Sequence, residues 1–401
     1  MVEPLAGVDA ARFDGPRPMR IDEVVASERL FRISFGMPEL EDEAAALAAY
    51  GPPRNGVMYV IAHEGRLVSQ IDTFHDLIRV YGGEIRAGSV GGVCTHPDYR
   101  GHRLARRLME YCAQELVDAG ANLLLISGGR GLYTRLGNVP HGRFLSFAIT
   151  PPQSDEMPGA EGLVVRRATP ADAAPCARLY AAEPVHFARV HADFVEALQD
   201  PPGNTYVYAD RWMIERAGEA VAYLCLGSPW HEELGAGIRH TGEYAGSRVA
   251  IAAVLGTLFA AGGVRELTWQ VAWQDSELIQ LLQAKGYRAE VAPLHGHTYR
   301  ILNFPGFMAD LRPLLKALLP AGLLRGLRFE QSGPLLGGLG DDRYAIVRGH
   351  DRLELDGAAM TRLVMGSGED EDAPLKLPGA LAEVVPVLFP LPSFLPGLNY
   401  H

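Results

Sequence analysis

The clearest pattern of apolar and polar positions in this chain lies between residues 90 and 137. Residues 90–95 form a short apolar run with the length of a buried strand, and Pro97 and Asp98 break it. Leu104, Leu108, Cys112 and Leu116 then recur four apart, which predicts an amphipathic helix over 103–118 with Gly120 as its stop. A second apolar run at 122–127 reads as a buried strand, followed by Gly128-Gly129-Arg130-Gly131 and by Leu132-Tyr133-Thr134-Arg135-Leu136-Gly137. Upstream, 21–35 and 43–50 read as helices. Residues 57–62 and 67–73 predict a hairpin joined at Glu64-Gly65, and 77–85 is extended.

Residues 151–163 are rich in turn formers and charge and mark a linker. Beyond it the pattern repeats faintly. A strand at 164–169 runs into the helix cap Thr169-Pro170-Ala171-Asp172, and a strand (221–226), a helix (248–259), a strand (267–272) and a helix (276–285) follow. After residue 300 the character changes. A helix over 308–319 leads to strands at 327–331, 344–348 and 352–355, then to helices at 358–363 and 379–385. The last residues, 388–401, are apolar and punctuated by proline. Leaving Leu388, Phe389, Phe394 and Leu395 in water forgoes about 1.5–3 kcal/mol each, so this tail is expected to dock. Three segments result: 1–152, 164–300 and 301–401.

Composition narrows the classes. With 401 residues, 48% hydrophobic and 21% charged, the chain can bury two or three full cores. No apolar run approaches the roughly 18 residues that span a bilayer, and the start Met-Val-Glu-Pro-Leu-Ala-Gly lacks a signal peptide's basic and apolar parts. Cys94, Cys112, Cys176 and Cys225 are scattered, which fits buried thiols in a reducing compartment, so a cytoplasmic protein is expected. A net charge of −11 argues against nucleic acid and is compatible with cationic substrates, although solubility alone explains most of it. The acidic cluster Glu39, Glu41, Asp42 and Glu43 has the same two readings. His295-Gly-His297 lacks a third ligand and reads as polar residues at a strand edge, so no metal is expected.

The loop between the 90–95 strand and its helix carries Arg100, Gly101, His102 and Arg103. A helix N-terminus offers unpaired N–H groups and positive potential, and arginines add charge-assisted hydrogen bonds, so the junction suits a phosphate or pyrophosphate. An ordinary strand–loop–helix with solvated arginines has the same pattern. Tyr133 has two readings as well. A neutral phenol can donate a proton to a leaving group, and a core tyrosine with a satisfied hydroxyl would look alike.

The frame Arg100-x-x-Arg103-x-Ala105 resembles the acetyl-coenzyme A motif of GNAT (GCN5-related) N-acetyltransferases, Arg/Gln-x-x-Gly-x-Gly/Ala, with the central glycine replaced. Arg103 is expected to hold a helical backbone with its side chain outward, and Gly101 to supply part of the close backbone access. Tyr133 falls where the family's general acid would be. The second segment repeats the GNAT order, but its loop, Glu243-Tyr244-Ala245-Gly246-Ser247-Arg248, lacks the arginine-rich turn and reads as a degenerate, non-binding copy.

Two GNAT-like halves with a sterol-carrier-like third part resemble the enhanced intracellular survival (Eis) family of acetyltransferases. The resemblance implies an α+β fold: tandem GNAT domains, each a mixed sheet flanked by helices, then a sterol-carrier-protein-like α/β domain. It implies acetyl-CoA as co-substrate, with Val93, Cys94 and Thr95 along the pantetheine arm. Arg100, Gly101, His102, Arg103, Leu104 and Ala105 would cradle the pyrophosphate, and Ser127 would lie beside the coenzyme. Tyr133 would be the acid and the C-terminus at His401 the base, through its carboxylate or its imidazole. The acceptor would be the primary amine of an aminoglycoside-like sugar, a polyamine or a lysine, and the assembly a homo-oligomer, trimer or hexamer. The competing reading is a non-catalytic lipid- or partner-binding protein that uses the third domain.

Overall fold

The structure, a computed structural model, describes residues 12–38, 56–129, 131–151, 160–199, 210–227, 237–262, 264–336, 341–367 and 375–399. The expected helix at 43–50, the acidic cluster at 39–43, most of the linker, and His401 lie outside them.

The first region comprises β1 (Phe13–Pro18), α1 (Val24–Phe35), β2 (Gly56–His63), β3 (Arg66–Val80), β4 (Gly83–Thr95), α2 (Leu104–Asp118), β5 (Leu123–Ile126), α3 (Gly131–Arg135) and β6 (Val139–Ile149). β2 and β3 turn at Glu64-Gly65, both with positive φ, as a two-residue hairpin of primed type requires. The segment 77–85 is a second hairpin rather than one extended run. Tyr81 (φ 46°) and Gly82 (φ 85°) reverse the chain between β3 and β4. α2 buries Leu104, Leu108, Cys112 and Leu116 on one face of the sheet, the stripe expected from the spacing. It sits so close that a Cβ on Gly88 of β4 would lie 2.7 Å from the Leu116 methyls. α1 covers the opposite face, where Leu30 packs with Val60, Leu67 and Cys94.

The second region runs β7 (Leu163–Arg167), α4 (Ala173–Ala181), β8 (Val185–Phe187), α5 (His191–Ala197), β9 (Asp210–Arg216), β10 (Glu219–Gly227), β11 (Ile238–Gly246), α6 (Arg248–Ala253), α7 (Leu255–Gly262), β12 (Glu266–Ala272), α8 (Ser276–Ala284) and β13 (Ala289–Ile301). The cap read at 169–172 forms: the Thr169 N–H donates to Asp172 Oδ2 at 2.8 Å. The helix expected over 248–259 is two helices that meet at Val254.

The two regions share one sheet, in the order β1-β2-β3-β4-β5-β13-β6-β12-β11-β10-β9-β7, with β8 paired to β3. β13 is the last strand of the second region, yet it lies between β5 and β6 of the first. Thr298 to Ile301 face Ile126 to Leu123, and Ala289 faces Phe147. In turn β6 pairs with β12 through Leu267–Ile149 to Ala272–Phe144. His295 and His297 therefore sit in a central strand and not at an edge. They bulge from it, because Leu294 faces His141 and Thr298 already faces Pro140.

The third region has α9 (Phe304–Asp310), α10 (Arg312–Leu318), α11 (Ala321–Leu324), a three-stranded antiparallel sheet of β14 (Leu327–Ser332), β15 (Arg343–Arg348) and β16 (Asp351–Leu355), then α12 (Gly357–Met365) and α13 (Leu381–Leu388). It is tied to the large sheet by a buried ion pair, Arg300 Nη2 to Asp342 Oδ2 at 2.6 Å, and by the Tyr344 hydroxyl on the Ile301 carbonyl at 2.6 Å. The tail docks: Leu388, Phe389, Leu391 and Phe394 are buried, and Leu395 is partly so. No helix among the described residues is long and apolar enough to cross a membrane.

Candidate active site

β4 and β5 run parallel from Ala87–Leu123 to Val90–Ile126, and no further pair joins them. β4 stays bonded to β3 on its other side, Gln70 facing Cys94 and Ser69 facing Thr95. An extra residue in β4 between Gly91 and Cys94, with Gly92 at φ 57°, bends the strand at the parting point. β5 thus gives β4 no ladder pair beyond Val90, and the gap between the two strands suits a ligand with amide donors and acceptors.

A cleft of about 860 Å³ continues from this edge to the start of α2. Val93, Cys94, Thr95, Arg100, Gly101, Arg103, Leu104, Ala105 and Tyr133 line it, so most of the expected residues come together. His102 and Ser127 do not. The His102 ring turns toward Phe13, 6.0 Å between centroids, and Ser127 follows β5 outside the lining. Among the described residues the lining holds four arginines (Arg100, Arg103, Arg106 and Arg135) and no carboxylate, although the whole chain carries −11. The Arg100 side chain donates from Nη2 to the Ser34 carbonyl at 3.3 Å. Arg106 is shared with Glu110 at 2.8 Å. This donor set fits a pyrophosphate followed by an amide chain along β4.

Arg103 corrects the sequence reading. It is the N-cap of α2 at φ 59°, ψ 22°, left-handed and not helical, and α2 begins at Leu104. The backbone takes the conformation that favours glycine, with arginine standing where the motif has glycine. Gly101, at φ 91°, also uses that region.

Tyr133 is 5% exposed, on the short α3. Its ring passes over Gly128, where a Cβ would lie 2.8 Å from Tyr133 Cε2, so this approach needs a glycine. The helix is held from behind. Asn138 Nδ2 and the Asn138 N–H both donate to the Tyr133 carbonyl, at 3.1 and 3.0 Å, and Arg300 Nη1 donates to the Leu136 carbonyl. Sequence reading missed Ser34 and Phe35 at the end of α1, and also Tyr99, Arg106, Leu132, Arg135 and Leu136. Arg106 lies one helical turn past Arg103 and Arg135 two residues past Tyr133, so spacing could have found those two. Nothing local marks Ser34 or Phe35.

Within the described residues no group of three or more His, Cys, Asp or Glu is placed to hold a metal ion. The four cysteines are buried and form no disulfide.

A family model described as an acetyltransferase (GNAT) domain matches residues 16–138. A search of the curated proteins gives no significant match. Among solved structures the chain is similar to a probable N-acyltransferase from Enterococcus faecalis V583, with a TM-score of 0.58 and 16% identity over 86% of this chain and 85% of that one. It is similar to a GCN5-related N-acetyltransferase from Kribbella flavida, with a TM-score of 0.57 and 16% identity over 87% and 85%. It also resembles Eis1 from Mycobacterium abscessus, with a TM-score of 0.53 and 13% identity over 87% and 89%. At such identities these likenesses speak for the fold. The parted strands, the basic cleft and the family match lie in the same stretch of chain, and residues 16–138 form a GNAT acetyltransferase domain.

Proposed function

We propose that the protein is an acetyl-CoA-dependent N-acetyltransferase whose reaction takes place at the parting of β4 and β5. The observation that carries this reading is the arginine-lined cleft that opens where β4 parts from β5, with Tyr133 at its wall. Acetyl-CoA would supply an activated acetyl group. Val93 to Thr95 would pair with the amides of its arm, and Arg100, Arg103 and Arg106 would neutralise its phosphates. The Tyr133 hydroxyl would give its proton to the departing sulfur, and the chain's terminus at His401 would take the proton released by the attacking primary amine. A sugar amine, a polyamine and a lysine side chain all present that group. The Eis-like resemblance adds a sterol-carrier-like third region and a homo-oligomer, trimer or hexamer, as further parts of the proposal.

Titration calorimetry with acetyl-CoA tests the reading. One site per chain is expected, and Arg100→Ala should weaken it by about 1.5–3 kcal/mol, the range for hydrogen bonds to charged groups. Thiol release with a panel of amines then identifies the acceptor. Absence of coenzyme binding, or two equivalent sites per chain, refutes the proposal.

A further inference from the structure

The parting of strands that makes the first cleft happens again in the second region. β11 and β12 run parallel from Ile238–Glu266 to His240–Thr268 and then separate. β11 carries one extra residue there, since Cys225 and Leu226 face Glu243 and Thr241, with Gly242 between them, as β4 does around Gly92. This second gap is filled. The stretch 391–398 of the chain's own tail runs through it and bonds to both lips.

On the β12 side, Gln274 reads the Ser393 backbone as another strand would. Its Nε2 donates to the Ser393 carbonyl at 2.6 Å, and its Oε1 accepts from the Ser393 N–H at 3.1 Å. Trp273 Nε1 donates to the Leu391 carbonyl at 3.3 Å. On the β11 side, the Leu398 N–H donates to Glu243 Oε2 at 3.1 Å. That carboxylate is itself fixed by Arg189 at 2.8 and 2.7 Å and by the Tyr223 hydroxyl at 2.5 Å. β6 closes the groove: His141 Nε2 donates to the Phe394 carbonyl at 2.9 Å and the Arg143 N–H to Ser393 Oγ at 3.0 Å. Leu391 and Phe394 are the buried apolar anchors. Gly397, at φ 57°, lies so close to the Glu243 carboxylate that no Cβ fits between them.

We propose that the second region is a receptor for an extended peptide, with the parted edges of β11 and β12 as its groove and residues 391–398 as its ligand. The side chains of Trp273, Gln274 and Glu243 bond the tail's backbone, which is the polar half of extended-peptide recognition. Glu243 and Gln274 supply polar recognition, the apolar anchors supply burial, and the place of Gly397 sets a residue-specific requirement. The inference goes beyond the acetyltransferase reading and stands without it, since it concerns the tail and its groove alone.

Hydrogen exchange on the full chain tests it first. The Ser393 and Leu398 amides should be protected in the native chain. Gly397→Val should accelerate exchange throughout 391–398 at least tenfold while β9 and β10 stay protected. Gln274→Ala, which removes only two tail hydrogen bonds, should do so about threefold. A fluorescent peptide with the sequence of residues 391–401 should bind the Gly397→Val chain saturably and the native chain not at all. The same peptide with valine in place of its glycine should fail to bind. Native tail amides that exchange as fast as a free peptide overturn the proposal. So do wild-type protection in both variants and a Gly397→Val chain that captures no peptide.

Discussion

The two clefts differ in what sits at the parted strands and what faces the helix that follows. In the first, residues 96–103 form a long loop before α2, four arginines face a space of about 860 Å³, and no carboxylate among the described residues lines it. In the second, Ser247 alone separates β11 from α6, and the remaining space is about 340 Å³. Arg248 occupies the corresponding position but is spent within the protein. It pairs with Glu183 at 2.6 Å and Asp275 at 2.9 Å, and Glu183 also accepts from the Gly246 N–H at 2.9 Å. A carboxylate of the chain stands where the first region leaves room for a phosphate, and a peptide stands where it leaves room for an amide arm. The same parting of strands thus gives an open cleft in one region and one filled by side chains and a tail in the other.

The most severe test of that contrast is at Tyr133, because α8, which follows β12 as α3 follows β5, carries no tyrosine. Tyr133→Phe keeps the ring over Gly128 and removes the hydroxyl. Turnover should fall about 10²–10⁴-fold with coenzyme affinity unchanged by calorimetry, the pattern of a group that acts only in the transition state. Full turnover in this variant would remove Tyr133 from the mechanism.

Arg189→Met attacks the second cleft instead. Arg189 and Glu243 are each 3% exposed, and the coulombic partner and hydrogen bonds keep Arg189 firmly charged despite its burial. Removing one partner leaves a buried carboxylate uncompensated, at a cost of about 3–5 kcal/mol. Urea unfolding should report this loss, whereas coenzyme affinity at the first cleft should change little. Equal losses at both would mean that the two regions do not act as separate sites.

How much of this the sequence displayed depends on the range of the interaction. The strand–loop–helix at 90–118 and the hairpin at Glu64-Gly65 are written in local periodicity and turn chemistry, and both stand in the structure, although β4 already starts at Gly83 and β3 runs on to Val80. The apolar tail announced its burial but not its groove, because Gln274 and Glu243 are more than a hundred residues away. The insertion of β13 between β5 and β6 has no local signature at all. Its histidine bulge even mimics an edge, since three polar-flanked residues leave the ladder in mid-strand. In the cleft, Arg100 and Tyr133 were visible through spacing, while Ser34 and Phe35 arrive by tertiary packing of α1.

Acid separates the regions more gently. Burial pushes the His297 imidazole down to about 4, and the buried His141 beside it also lies well below its usual range. An unfolded histidine binds its proton near pH 6.5. Between pH 6.5 and about 4 the unfolded chain therefore holds more protons than the native one, so stability is lost as the pH is lowered through that window, by about 1.4 kcal/mol per unit for His297. His297→Asn should flatten the unfolding free energy over that window. An unchanged slope would place the acid sensitivity elsewhere. Since His141 holds the tail at Phe394, tail exchange should respond to acid before the first cleft does.

The smallest effect expected is at Arg103, and it is the one that separates cation from backbone. A non-glycine residue held left-handed costs on the order of 1 kcal/mol, and glycine at the same φ does not pay it. Arg103→Gly should therefore raise stability by about 0.5–1 kcal/mol, the usual gain reduced by the freedom glycine adds to the unfolded chain. Arg103→Ala keeps the strain and should leave stability nearly unchanged. Both remove the guanidinium, so both should weaken coenzyme binding to the same degree if that charge faces the phosphates. If Arg103→Gly binds as tightly as the native chain, the closer backbone approach compensates for the lost cation, and the arginine is then a tolerated replacement. If the two variants lose affinity alike, arginine has been kept at a strained position for its charge, in the one cleft of the two whose cations are not all taken by carboxylates of the chain.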